Sequence, residues 1–92
     1  MTCKIDRLVT ETKLVVLRVS GRVHGENVDM LRELIQQEKG AVAIDLTELI
    51  FADHEAVKLL AVSEANGTEL KNCPAYIREW VSRERDGTVR QL

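Results

Sequence analysis

The most constraining feature of the sequence is an apolar run, Ala41 to Leu46, that directly follows a segment of helical periodicity. Its first four residues, Ala-Val-Ala-Ile, do not alternate between apolar and polar, and a short run of that kind is typical of a strand covered on both faces. Such strands belong to parallel sheets, whose neighbouring strands are joined by crossovers, usually helical. We therefore expect an α/β fold with Ala41 to Leu46 as a central parallel strand.

The residues before this run predict a β-hairpin. Cys3 to Val9 begins by alternating apolar and polar side chains, and Leu14 to Val19 is rich in β-branched residues. The polar connection between them is short, which favours antiparallel pairing of the two strands. The glycine-containing stretch 20–25 that follows is expected to be a loop.

The next segment predicts the helix that crosses from the hairpin to the central strand. Asn27 is expected to cap this helix, and Gly40 is expected to end it in a left-handed conformation. The crossover should be right-handed, as nearly all such connections are. The apolar residues at helical spacing are Val28, Leu31, Leu34 and Ile35.

A second helix is predicted from about His54 to Ala65, after a turn over Thr47 to Ala52. It is dense in small and aliphatic residues, so most of it should be buried, and Asn66-Gly67 should end it. Asp53 is expected to cap its first turn by accepting a hydrogen bond from the backbone N–H of residue 55 or 56. Glu55 is favourable in this position, because a carboxylate near a helix N-terminus gains about 0.3–1 kcal/mol.

The last third of the chain predicts one more strand and one more helix. Thr68 to Lys71 is interpreted as the next parallel strand. Pro74 suits the first turn of a third helix, with Asn72 or Cys73 as its cap.

The third helix is expected to bury an apolar stripe made of Ile77, Trp80 and Val81. It should fray near Asp86-Gly87, which leaves Thr88 to Leu92 as either a short fifth strand at the sheet edge or a tail. The predicted order is thus β-β-α-β-α-β-α, a sandwich of helices packed on a mixed four-stranded sheet. Ninety-two residues suffice for one hydrophobic core, so residues 1–92 are expected to form a single domain.

Composition argues against several function classes. A formal net charge of −2 gives no electrostatic reason to hold nucleic acid. Cys3 and Cys73 form no C-x-x-C pair, so neither a zinc ribbon nor a redox motif is indicated, and two reduced thiols favour a cytoplasmic protein. His24 and His54 are too few ligands for a metal site, so surface histidines are expected and no metal or cofactor is predicted. The sequence shows neither an apolar leader nor a membrane-spanning run, so membrane insertion is not expected.

Several short stretches occur in the order and spacing of a known family. Residues 19–23, Val-Ser-Gly-Arg-Val, precede the first helix, and Ala41 to Thr47 is an apolar strand that ends in Asp-Leu-Thr. Ile50-Phe51-Ala52-Asp53 is a hydrophobic-Phe-x-Asp element, and Gly67-Thr68-Glu69-Leu70 and Asn72-Cys73-Pro74 follow. Together these stretches resemble the STAS domain of bacterial anti-sigma-factor antagonists, which is also found as an appendage of sulfate transporters. The resemblance covers nearly the whole chain and implies a STAS-like fold.

The chain departs from the family pattern at one place. After the Asp, the family has Ser-Ser-Gly or Ser/Thr-x-Gly, and the hydroxyl is phosphorylated by a partner anti-sigma kinase. Here His54 and Glu55, followed by Ala56, occupy the equivalent of the phosphorylation site, so no hydroxyl is available there. Glu55 either stabilises the helix alone or stands permanently where the phosphate would be. Thr47 is the nearest hydroxyl and an alternative phospho-acceptor, although an ordinary turn residue is the preferred interpretation.

The resemblance implies a protein-interaction module without catalytic residues, which docks an anti-sigma factor or serine kinase through residues 50–58. An alternative is a cytoplasmic STAS accessory subunit of an ABC-type lipid or solute transporter. A further alternative, a weak nucleotide- or phosphate-binding protein, would hold Mg²⁺ with Asp45 and Asp53, but no glycine-rich phosphate loop accompanies them. The expected partner-binding residues are Phe51, Asp53, His54, Glu55 and Lys58.

Overall fold

The computed structural model describes the backbone of residues 3–90 and the side chains of residues 3–86. Over that range the chain forms a mixed α/β fold of five strands and three helices. In chain order these are β1 (Cys3–Val9), β2 (Val15–Val23), α1 (Glu26–Gln37), β3 (Val42–Asp45), β4 (Leu49–Ala52), α2 (His54–Ala65), β5 (Glu69–Lys71) and α3 (Ala75–Arg90).

Strand β2 lies at the centre of the sheet. Along one edge it pairs with β1 in antiparallel register, from Cys3 opposite Gly21 to Val9 opposite Val15. Along the other edge it pairs in parallel, first with β3 and then with β4. Strand β5 continues the sheet on the far side of β3, also in parallel. The predicted hairpin and the predicted parallel strands are therefore confirmed.

The helices cover only one face of this sheet. On β2 the side chains of Val15, Leu17 and Val19 are buried in the core, while the intervening Arg18 is exposed. On β3, the strand predicted to be covered on both faces, the consecutive residues Ala43 and Ile44 are both fully buried, but only Ile44 belongs to the core cluster. The sequence of β3 does not show an alternation of core-facing and outward-facing positions, because Ala43, on the face without helices, is small and apolar. Ala43 is buried but lies outside the core cluster.

The fifth strand is not where the sequence predicted it. Leu49–Ala52, predicted as part of a turn, is a strand that extends the parallel edge of β2 beyond β3. The turn itself is restricted to residues 47 and 48, and the N–H of Leu49 donates to the carbonyl of Leu46 at 3.1 Å. Residues 88–90, predicted as an edge strand or tail, continue helix α3, and residues 91 and 92 lie outside the described range.

The boundaries of α1 also differ from the prediction. Strand β2 runs through most of the predicted loop to Val23, and Gly25, with φ of 56°, occupies the cap position of α1. Asn27 therefore lies inside the first turn, where its Oδ1 accepts a weak 3.5 Å hydrogen bond from the N–H of His24. The helix ends at Gln37 with Glu38 in an extended conformation, so Gly40 does not supply a left-handed cap.

Helix α3 starts near Pro74, as predicted, but its Trp80 side chain does not lie in the core as predicted. The carbonyl of Pro74 accepts from the N–H of Arg78 at 2.8 Å, so Pro74 stands at the cap position predicted for Asn72 or Cys73. The core contacts of α3 come from Ile77 and Val81, both fully buried. Trp80 was predicted in the core but is 43% exposed. One residue along a helix is a rotation of about 100°, which turns Trp80 away from the Ile77 and Val81 stripe.

An ion cluster joins α2 to α3 across their outer side. Both carboxylate oxygens of Glu64 accept from Arg78, at 2.6 and 2.7 Å, and Arg85 adds a contact of 2.9 Å. The hydrogen bonds from Arg78 are the main reason that the pKa of Glu64 falls from 4.5 to about 2. Bidentate charged pairs of this geometry are stronger than isolated surface pairs.

Replacing Glu64 by Gln should lower the free energy of unfolding at neutral pH by about 1–2 kcal/mol, because two arginines lose their charged acceptor. A carboxylate with a lowered folded pKa contributes stability above its unfolded pKa, so the difference from wild type should disappear as pH falls from 4.5 to about 2. Urea denaturation across this pH range measures the effect.

The matched control is Glu79→Gln, because Glu79 pairs with Arg83 only within α3 at 2.6 Å and both side chains are largely exposed. Its expected cost is below about 0.5 kcal/mol. Equal destabilisation by the two variants would contradict the proposed role of the Glu64 cluster.

Candidate functional site

Helices α1 and α2 begin at the same edge of the sheet, and Asp53 links the two starts. Its Oδ1 accepts from the N–H of Ala56 at 2.9 Å, which confirms the predicted cap of α2. Its Oδ2 accepts from the N–H of Gly25, the cap residue of α1, at 3.2 Å. The N–H of Asp53 in turn donates to the carbonyl of Val23 at the end of β2. One side chain thus fixes the relative position of both helix N-termini.

A β-bulge shapes the strand that leads into this position. Gly21 lies opposite Leu49 but Arg22 lies opposite Phe51, so Ile50 is an additional residue in β4. Its side chain is 60% exposed. The guanidinium of Arg22 lies over the Phe51 ring at 5.3 Å from the ring centroid, a cation–π contact. Bulges commonly redirect side chains next to functional sites.

Strand β4, the start of α2 and the middle of α3 enclose a groove of about 440 Å³. Trp80 supplies its largest aromatic surface and packs edge-on against Tyr76, with ring centroids 6.2 Å apart. The Tyr76 hydroxyl donates to the backbone carbonyl of Ile50, which holds the aromatic pair against the bulge. The groove is lined by Phe51, Ala52, Asp53, His54, Val57, Trp80, Arg83 and Glu84.

The groove wall is completed by a contact between α2 and α3. The Nε2 of His54 lies 3.2 Å from a carboxylate oxygen of Glu84, and this contact is an ion pair when the imidazole is protonated. His54 is otherwise well exposed. The groove therefore combines two aromatic rings with an imidazole, two carboxylates and the guanidinium of Arg83.

The five residues predicted to bind a partner are distributed around the start of α2. Phe51, Asp53 and His54 line the groove. Glu55 lies on the other side of the helix start, in a shallow depression shared with the first turn of α1. Lys58 borders a third depression, farther along α2. The structure brings three of the five together and separates Glu55 and Lys58 from them.

Asp45 is remote from Asp53, which argues against a shared Mg²⁺ site. Asp45 pairs with Arg18 on β2, whereas Ala52, which precedes Asp53, pairs with Val23. Five residues of strand separate these positions, or about 16 Å. A single metal ion cannot bridge that distance, so the predicted acidic pair does not form.

Asp45 has a structural environment of its own. Its Oδ1 accepts from the N–H of Thr47 at 2.9 Å and from the Thr47 hydroxyl at 2.6 Å. These bonds are the main cause of a lowered pKa for Asp45. The Asn72 side chain, from a left-handed turn residue, adds a contact of 3.4 Å. Thr47, the alternative phospho-acceptor, thus donates the hydrogen bonds that stabilise the local turn at Asp45.

Neither histidine belongs to a metal site in the part of the chain that the structure describes. No group of three His, Cys, Asp or Glu side chains in that part is close enough to hold a metal ion. His24 is exposed in the connection from β2 to α1. None of the described helices is long and apolar enough to cross a bilayer.

The α3 side of the groove was missed from the sequence. Trp80 was predicted to lie in the core, and no role was predicted for Arg83. The spacing of Tyr76 and Trp80, four residues apart, places them on one side of a helix, next to the Ile77 and Val81 stripe. That pattern could have indicated an exposed aromatic pair at the edge of the core.

Solved structures that share this fold include two anti-sigma-factor antagonists. The anti-sigma-factor antagonist SpoIIAA in its unphosphorylated form matches with a TM-score of 0.64 and 21% identity, covering 83% of this chain and 79% of that chain. An anti-sigma-factor antagonist STAS domain from Rhodobacter sphaeroides matches with a TM-score of 0.56 and 16% identity, covering 75% of this chain and 83% of that chain. No protein-family model and no curated protein sequence matches the chain. The predicted STAS-like fold is confirmed.

Replacing Asp53 by Ala should lower the free energy of unfolding by about 1–2 kcal/mol, because the N–H groups of Gly25 and Ala56 both lose an acceptor. Asp53→Asn is the matched control, since its amide oxygen can still cap α2. Urea denaturation measures the loss, and amide hydrogen exchange should accelerate at residues 25 and 56 together in the Ala variant. Acceleration at residue 56 alone would contradict the link between the helices.

Proposed function

We propose that this chain is a non-catalytic protein-interaction module that docks an anti-sigma factor or anti-sigma kinase through the groove at the start of α2. The docking surface is defined as Phe51, Asp53, His54, Trp80 and Arg83, which all line the groove.

The observation that carries this proposal is the exposure of Trp80 beside Phe51. A large aromatic side chain that is 43% exposed in a protein with three aromatic residues is poorly used for folding. Trp, Tyr and Arg are the residues most often found as energetic anchors of protein interfaces. Here the Tyr76 hydroxyl and the packing of its ring against Trp80 hold the indole in place, so little conformational entropy would be lost on binding.

The charges of the surface support binding rather than catalysis. Asp53 is fully engaged by the two helix starts, and His54 is paired with Glu84. Neither contact presents a hydroxyl or thiol nucleophile to a general base in the manner of a catalytic centre. The groove walls come from rigid elements, a strand and two helices, which suits recognition of a folded partner.

The fold supports the class of partner. The two similar solved structures described above both bear the name of anti-sigma-factor antagonists. By resemblance, the kinase-facing position of that family corresponds to residues 54–56, of which His54 lines the same groove and Glu55 lies on the other side of the helix start. Because that position holds a histidine and a glutamate, docking in this chain would not be switched by serine phosphorylation, and Glu55 keeps a fixed negative charge beside the surface.

Trp80→Ala should weaken binding of the anti-sigma kinase encoded in the same genome by at least about tenfold, because it removes the central anchor of the groove. Isothermal titration calorimetry with the purified kinase measures the affinity. The control is Met30→Ala on α1, a residue of similar exposure, 41%, that does not line the groove.

Both variants should retain the wild-type circular dichroism spectrum, since neither side chain belongs to the hydrophobic core. Equal affinities of wild type and Trp80→Ala would reject the groove as the docking surface. Absence of any binding by wild-type protein would reject this class of partner.

Incubation with the same kinase and ATP should leave residues 53–56 unmodified, because they carry no hydroxyl. Thr47 should also stay unmodified, since its hydroxyl is bound to Asp45 and a phosphate there would lie against a carboxylate. Mass spectrometry of the intact protein and its peptides tests both expectations, at neutral pH so that any phosphohistidine at His54 survives. A phosphate on Thr47 would restore phospho-regulation by another route.

A further inference from the structure

The sheet face opposite the helices, here called the open face, has no covering element among the described residues. On β2 it presents Val16, Arg18, Ser20 and Arg22, none of which is fully buried. Antiparallel sheets commonly leave one face in water, but parallel strands are nearly always covered on both faces. Because β2, β3 and β5 form parallel pairs, an uncovered face is unusual for this sheet.

The register of the four strands places a row of charges across the middle of the open face. Asp6 lies opposite Arg18, Arg18 opposite Asp45, and Asp45 opposite Lys71. The signs therefore alternate, negative, positive, negative, positive, from one edge of the sheet to the other. The Nε of Arg18 lies 3.7 Å from Asp45, and the Nζ of Lys4 lies 3.9 Å from Asp6. Arg18 and Asp6 keep nearly half of their side-chain surface exposed, and Asp45 keeps 15%.

A row of three apolar residues runs beside the charged row and ends on β5 at Glu69, which lies opposite Ala43. Leu8 is 42% exposed and lies opposite the half-buried Val16, which lies opposite Ala43. An exposed leucine next to a partly exposed valine on a flat face gives association an apolar contribution. The open face thus combines an ordered charge pattern with an apolar strip.

We propose that the open face binds a second copy of this chain, face to face, about a twofold axis that runs parallel to the strands between β2 and β3. Rotation about that axis reverses the order of the charged row. Asp6 then faces Lys71 of the second copy, and Arg18 faces Asp45 of the second copy. All four residues of each charged row meet an opposite charge, while in the neighbouring row Val16 faces Ala43 and Leu8 faces Glu69 of the second copy.

The charge order distinguishes this arrangement from the other twofold arrangement of two stacked sheets. An axis perpendicular to the strands and passing through the charged row would place each residue against its own counterpart, so Asp6 would meet Asp6 and Arg18 would meet Arg18. Like charges in contact oppose association strongly. An alternating row of four is complementary to itself only when its order is reversed, as the strand-parallel axis requires.

The dimensions of the open face set the expected strength of dimerisation. Four strands about 4.8 Å apart and about six residues long cover about 400 Å² in each copy. This is below the roughly 800 Å² per partner of a standard interface, so the dimer should be weak, reversible and sensitive to salt. The proposal is independent of the docking surface, whose groove lies between β4, α2 and α3.

Sedimentation equilibrium of the full chain at about 50 mM salt and about 0.2 mM protein should show a reversible monomer–dimer equilibrium, weakened at least about tenfold at 500 mM salt. The single variants Asp6→Lys and Lys71→Glu should each dimerise at least about tenfold more weakly than wild type, because each places like charges at two contacts of the dimer. An equimolar mixture of the two variants should recover wild-type association, since every contact of the mixed dimer is again between opposite charges.

Recovery in the mixture distinguishes pairing between copies from pairing within one copy. Asp6 and Lys71 lie at opposite ends of the row, three strand spacings or about 14 Å apart, so they cannot contact each other in one chain. Lys39→Glu is the matched control for charge, because it makes the same change at an exposed position outside the strands, and it should associate as wild type does. Circular dichroism confirms that each variant is folded.

A wild-type protein that remains monomeric under the low-salt conditions would overturn the proposal. So would a dimer that is unaffected by salt, or a mixture of the two variants that associates no better than either alone. Weakening by Lys39→Glu equal to that by Lys71→Glu would show that net charge, and not the row, governs association.

Discussion

The backbone N–H and C=O groups along both edges of strand β2 need hydrogen-bond partners, and the fold depends on which strands provide them. One edge is paired with β1 along nearly its whole length, while the other is shared by two short parallel strands, β3 and β4. Parallel strands require crossover connections, and right-handed crossovers that step in the same direction place their helices on the same face. The helical layer on one face and the open face on the other both follow from this pairing.

The sharing of one edge of β2 by β3 and β4 also determines where the docking surface lies. β2 and β4 run in the same direction, so the helices that follow them begin at the same end of the sheet. Their unpaired N–H groups are close enough for the single carboxylate of Asp53 to serve both. The extra residue in β4 turns Ile50 outward and offers its carbonyl to Tyr76, which holds Trp80 at the groove. The same strand pairing thus builds the docking surface.

Strong local patterns were predicted correctly from the sequence. The limits of β1 and α2, the capping of α2 by Asp53 and the termination of α2 by Asn66 and Gly67, the latter with φ of 102°, all follow from periodicity and residue preference. Errors arose where pairing with a distant strand prevailed over local preference. Residues 20–23 contain a glycine and look like a loop, but pairing with β1 and β4 makes them part of a strand. Leu49–Ala52 is short and follows a turn, so nothing local marks it as a strand.

The sequence by itself determined the fold class, the order of the three helices and of every strand except β4, and the absence of a hydroxyl at residues 54–56, because these depend on residue identity and short-range periodicity. The tertiary structure alone decided which side chains share a surface. Trp80 belongs to the groove because α3 packs through Ile77 and Val81 and turns its indole outward. Asp45 and Asp53 are separated because β3 and β4 occupy different lengths of one edge. The charged row exists only because strand register aligns residues from four distant parts of the chain.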